Sequence, residues 1–139
     1  MKNQARVLRI GIASRKEMRA RTIAIARGEY KPRPDDPKVW FSSLESLAQV
    51  LSSKNQLLLE LIRRARPASI KELADLSGRE ESNLSRTLHT MERYKLVQLK
   101  KAERGRIVPV VPYEKVALDL PIAAQAARLQ KDKVLGMDG

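Results

Sequence analysis

A glycine at position 78 separates two stretches of helical periodicity so closely that the chain there must turn back on itself. Upstream, Ser69 and Glu72 have the spacing of a capping box, and Ile70, Leu73, Ala74 and Leu76 line one face of a short helix. Downstream, Leu84, Leu88 and Met91 fall at i, i+4 and i+7 along a longer helix from about Glu80 to Tyr94. Gly78 supplies the backbone freedom that a tight turn needs. Ala74 is small where the two helices must approach, and Leu84 anchors the second to the first. The spacing predicts a helix-turn-helix.

The remaining punctuation extends this unit in both directions. Ser42 with Glu45 predicts a capped helix bearing Leu44, Leu47, Ala48 and Leu51. Ser52 and Ser53 break that run, and a further helix carries Leu57, Leu58, Leu61, Ile62 and Ala65 until Pro67. After Lys95 the period changes from 3.6 toward 2. Leu96 to Lys101 and Ile107 to Val111 read as strands joined by a turn over 102–106, with Pro109 and Pro112 suggesting an edge position. Val116, Leu118 and Leu120 alternate as a third short strand would, and Pro121 opens an expected C-terminal helix with Ile122, Ala126, Leu129 and Val134.

Toward the N-terminus, Val7 to Ile12 reads as a strand, and Ser14 with Glu17 caps a helix that Gly28 stops. Pro32, Pro34 and Pro37 then predict a stiff extended linker. The expected fold is α+β, mainly helical. It comprises a strand–helix arm and linker over 1–38, a helix-turn-helix domain with a hairpin over 39–120, and a helix over 121–139. An arm of about 30 residues without disulfides or metal cannot form a domain by itself. Pairing of its strand with a second copy is the expected solution, with packing on its own core, or a disordered arm that awaits a protein partner, as the alternatives.

Charge narrows the partners. The 139 residues carry 28 Lys and Arg against 16 Asp and Glu, a net charge of +12, which calls for a polyanion. The excess lies in residues 1–112, and 113–139 are neutral. No aliphatic run approaches the ~20 residues of a membrane span, and Arg9 interrupts the only apolar stretch near the N-terminus. A cytoplasmic protein without membrane contact is expected. There is no Cys and a single His, which excludes thiol chemistry and argues against a metal centre. With no Gly-rich phosphate loop and no nucleophile–base constellation, neither catalysis nor a cofactor is expected.

The polar face of the longer helix follows from ~100° per residue. With Leu84 as the buried reference, Leu88 and Met91 stay within about 40°, whereas Ser82, Arg86, His89 and Arg93 lie opposite. Asn83, Ser85 and Thr90 flank them. Arg grips guanine bidentately and Asn grips adenine, while Ser and Thr donate to bases or phosphates. An ordinary solvated face is the alternative, although Glu–Lys pairs would be commoner there. Lys100, Lys101, Arg104 and Arg106 concentrate charge on the hairpin, at a place suited to DNA backbone or minor groove.

The runs Ser69 to Ala74, Gly78-Arg79, Ser82 to Leu88 and Tyr94 to Val97 resemble the winged helix-turn-helix transcriptional regulators of the MarR-like kind. Trp40 to Glu45 and Val110 to Glu114 resemble one subgroup, small predicted DNA-binding proteins encoded beside toxin genes. The resemblance spans about residues 39–120 and is specific over 69–97; Lys95 stands where the family commonly has Gly. It implies a homodimeric, sequence-specific regulator of double-stranded DNA that represses its own operon, with the antitoxin role and a toxin partner as the subgroup's further implication. The N-terminal strand and helix and the C-terminal helix are the candidate dimer surfaces. An RNA-binding or nucleoid-type protein without sequence specificity is the alternative, though one Trp, one Phe and three Tyr give little for base stacking.

Overall fold

The computed structural model describes residues 6–120 and 122. Apart from Ile122, the expected C-terminal helix lies outside the described residues.

Strand β1 (Val7–Ile12) leads through Ser14 into helix α1 (Arg15–Ala26). The predicted box forms there in full: the Ser14 Oγ accepts from the Glu17 N–H at 3.1 Å, and the Glu17 carboxylate accepts from the Ser14 N–H at 2.7 Å. Strand β2 (Val39–Phe41) precedes helices α2 (Leu44–Val50), α3 (Ser53–Ala65), α4 (Ile70–Ser77) and α5 (Glu81–Arg93). Strands β3 (Gln98–Lys101) and β4 (Ile107–Val110) form an antiparallel hairpin, and β5 (Lys115–Asp119) follows.

The cap of α2 differs from expectation by one residue. Ser43 is the N-cap, accepting from the Ser46 N–H, and Ser46 takes the third-position role assigned to Glu45. Two adjacent serines can both cap, and with Ser43 in that role Leu47 belongs to the same hydrophobic cluster as Phe41.

The larger difference lies in β1. It does not wait for a second copy. It is the middle strand of a three-stranded parallel sheet ordered β2-β1-β5, with Ile10 opposite Val39 and Leu118, and Leu8 opposite Val116. Both of its edges are therefore occupied within its own chain. Leu8 and Ile10 are fully buried in one hydrophobic cluster with Phe41, Leu58, Ile62, Leu73, Leu84, Leu88 and Met91. Residues before and after position 38 thus share a core. Phe41 stacks on Tyr94, the C-cap of α5, with ring centroids 4.0 Å apart.

Nor is the Pro-rich segment merely an extended linker. The Asp36 carboxylate accepts from the Tyr30 hydroxyl, from the Arg33 N–H at 3.1 Å and from Arg21 at 3.2 Å. The Tyr30 hydroxyl, chiefly, holds the Asp36 carboxyl below its ordinary range. Arg21 also stacks over the Tyr30 and Trp40 rings, 5.4 and 5.3 Å from their centroids. The loop is folded down onto the sheet face opposite the core.

On that face Trp40 lies across Gly11. A Cβ placed there would come within 2.4 Å of the indole and 3.0 Å of Pro37. Gly11→Ala must push the ring off its Arg21 contact, and it is expected to cost about 1–3 kcal/mol in denaturant unfolding.

Lys95 adopts a left-handed φ of 64° at the exit from α5, a conformation that favours glycine. The turn is made in spite of the side chain, and Leu96 and Val97 enter the core behind it. Relieving this strain, Lys95→Gly is expected to raise stability by roughly 0.5–1 kcal/mol, after the entropic cost of glycine.

Candidate nucleic-acid interface

Three local features position α5. Gly78 ends α4 with a left-handed φ of 74°, a conformation that a side chain would resist. Arg79 is then pinned away from the polar face: its guanidinium donates to the Lys54 carbonyl at 3.0 Å and to Asn55 Oδ1 at 3.1 Å, and burial pushes its pKa down. Glu80 caps α5, its carboxylate accepting from the Asn83 N–H at 3.1 Å and from the Ser82 hydroxyl. Leu84, Leu88 and Met91 are completely buried, so the helix is fixed in rotation.

With that face inward, the residues predicted for the polar stripe point outward. Ser82, Asn83, Arg86, His89 and Arg93 are exposed; Ser85 and Thr90 are half-buried on the flanks. Three of them are already engaged: Ser82 with Glu80, and Ser85 and His89 with each other. The Ser82 hydroxyl is turned to Glu80, leaving its oxygen lone pairs for a partner. The His89 ring folds back on its own helix, with Nδ1 2.7 Å from the Ser85 carbonyl. A carbonyl can only accept, so Nδ1 carries hydrogen and Nε2 is the outward-facing nitrogen.

The hairpin brings its tip to the same region. Gly105, Arg106 and Ile107 lie across a groove of about 370 Å³ from Glu81 and Ser85 of α5 and from Lys71 of α4. Lys100, Lys101, Arg104 and Arg106 are all exposed. They are not all brought together, because successive strand residues point to opposite faces. Lys101 shares a ribbon face with Ile107 and Leu99, while Lys100 shares the other with Val108. At the tip, Arg104 and Gly105 both take left-handed φ values, of 65° and 71°, which close the loop over 102–106. The Ala102 N–H donates to the Arg106 carbonyl at 2.7 Å.

Sequence reasoning overlooked three charged groups at this surface. Lys71 sits on the groove as the lone cation of a short helix that also carries Glu72 and Asp75, with no pattern to single it out. Glu80 and Glu81 make the N-terminal end of α5 acidic, whereas Arg86, His89 and Arg93 occupy its middle and C-terminal parts. The acidic cap was not legible, because Glu is outside the Ser, Thr, Asp and Asn that ordinarily cap, and only the fold turns the Glu80 carboxylate onto the Asn83 N–H.

A family model described as HVO_A0114 matches residues 50–118, the stretch from the end of α2 to β5. No curated protein matches the chain. Among solved structures, the crystal structure of the predicted DNA-binding transcriptional regulator from E. coli matches with 20% identity and a TM-score of 0.43, covering 83% of this chain and 97% of that one. Among the described residues no helix is long and apolar enough to cross a membrane.

The Glu80 cap yields a pH signature. Hydrogen bonds from the Ser82 hydroxyl and the Asn83 N–H favour the ionised form and lower the Glu80 pKa. A lowered folded-state pKa stabilises above the unfolded value, and that contribution is lost as pH falls through the folded value. Wild type is therefore expected to be more stable than Glu80→Gln at neutral pH, with the gap closing in acid. Chemical denaturation of both proteins across that range checks it, and a gap independent of pH contradicts a charge-assisted cap.

Proposed function

We propose that this chain is a sequence-specific, double-stranded-DNA-binding transcriptional regulator built as a MarR-like winged helix-turn-helix, with α5 as recognition helix and the β3–β4 hairpin as wing. The observation that carries the reading is the shared surface. The outward stripe Ser82, Asn83, Arg86, His89 and Arg93, flanked by Ser85 and Thr90, lies on a helix whose Glu81 and Ser85 face the basic hairpin tip across one groove, on a chain of net charge +12. Helix residues of this kind read base edges, and basic hairpins hold backbone or minor groove.

Action as a cytoplasmic, non-catalytic, cofactor-free homodimer that represses its own operon belongs to the same proposal. So does the antitoxin role with a toxin partner, which rests on the resemblance of Trp40 to Glu45 and Val110 to Glu114 alone.

Within α5 the charge is graded. Glu80 and Glu81 would repel phosphates at the N-terminal end, so phosphate contacts fall to Arg93 and the wing, and Arg86 is left for base readout. Fluorescence anisotropy on a duplex selected from a random pool, and on unselected duplex, separates the roles. Arg86→Ala is expected to cost roughly 1–3 kcal/mol on the selected sequence and little on the unselected one. Arg104→Ala, which keeps a side chain at the strained tip, should weaken both alike and reduce the salt slope by about 1. An unchanged ratio between the two duplexes in Arg86→Ala contradicts base readout by α5 and favours a nucleic-acid-binding protein without sequence specificity.

A further inference from the structure

β5 is an outer strand. β1 occupies one of its edges, and among the described residues no strand occupies the other. Outer strands are ordinarily blunted by shortness, charged side chains, proline, a bulge or an inward-pointing charge, and β5 is short with its charges only at its two ends. Between those ends it has no charge, proline or bulge. It reads Lys115, Val116, Ala117, Leu118, Asp119, which is a positive, an apolar, a small, an apolar and a negative residue. Reversed, the same order of chemistry is its own complement. Leu118, moreover, is on the same sheet face as its neighbour Ile10, yet it is 43% exposed where Ile10 is fully buried. The core face of the sheet runs out at this strand with an apolar side chain uncovered.

We infer that β5 pairs antiparallel with β5 of a second copy of this chain, about a two-fold axis through Ala117, so that the two sheets become one. In that register Lys115 lies opposite the partner's Asp119, and Asp119 opposite the partner's Lys115. Val116 lies opposite the partner's Leu118, covering the exposed apolar surface. Directly opposed side chains of a strand pair interact most strongly, and opposite charges there are favourable while like charges are not. Parallel pairing in register would instead set Lys115 against Lys115 and Asp119 against Asp119. The antiparallel arrangement is also isologous, since one patch meets itself and the β5 edge is consumed on both copies. This surface replaces β1, whose edges are filled, as the place where two copies meet, and it is tested without nucleic acid.

Sedimentation velocity of the full-length protein over about 1 to a few hundred μM, the span in which a short interface associates, gives the test. Wild type is expected to show a concentration-dependent monomer–dimer equilibrium. Asp119→Lys and Lys115→Asp each turn two symmetry-related attractions into repulsions, and each should weaken the dimer about tenfold or more. The two variants change net charge in opposite directions, so weakening in both cannot come from overall repulsion. The double variant Lys115→Asp/Asp119→Lys restores both pairs and should return the dimer to within about threefold of wild type. Both side chains are exposed, so the variants should keep the wild-type circular dichroism. If a single variant loses it, Leu118→Lys serves as the second disrupting variant. A monomeric wild type throughout, equal dimerisation in the single variants, or a double variant no tighter than the singles overturns the inference.

Discussion

The structure depends on β1 having a neighbour on each side. Parallel strands cannot be joined by a tight turn, so each partner of β1 must arrive through a crossover. β2 comes by way of α1 and the Pro-rich loop. β5 comes only after the whole succession of α2 to α5 and the β3–β4 hairpin. The helical unit therefore leaves the sheet from one side of β1 and returns to the other, and both of its ends are hydrogen-bonded to the same strand. Phe41 stacked on Tyr94 adds a third tie, joining the sheet to the end of α5 itself. The N-terminal segment is thus a structural frame for the candidate interface.

The two faces of that sheet are covered by different means. The core face is aliphatic and continuous with the helices, and Leu8 and Ile10 are fully buried there. The other face relies on one polar cluster: Trp40 over Gly11, Arg21 over Trp40 and Tyr30, and Asp36 gathering three donors. Helix α1 contributes no buried residue to either face. Its exposed Arg15, Lys16 and Arg19, with Arg27 at its C-cap, account for much of the N-terminal positive charge, whereas Arg21 is held in the polar cluster.

Strain and charge coincide at two places beside α5, of which the hairpin tip belongs to the candidate interface. Arg104 holds a left-handed conformation at the hairpin tip and Lys95 another at the foot of α5. Both are cations at positions where glycine would be easier, and strain of this kind persists only where the surrounding fold imposes it. The acidic cap of α5 brings a comparable compromise. Glu80 stabilises the helix start by accepting N–H and O–H donors, at the end of the helix where a polyanion would be repelled.

The sequence alone determined whatever is governed by neighbours along the chain. The Ser14–Glu17 box, the glycine turn at 78, the buried line of Leu84, Leu88 and Met91, and hence the outward face carrying Arg86 and Arg93, all follow from spacing. A helix closes its hydrogen bonds within four residues, so its ends and faces are written locally. Which of two serines caps α2, and above all that β1 pairs with β2 and β5 inside its own chain, was settled only by the fold. Strand pairing is a contact between distant segments. An apolar strand such as Val7–Ile12 states that it needs partners without naming them, and the choice falls to the core that Leu8 and Ile10 complete.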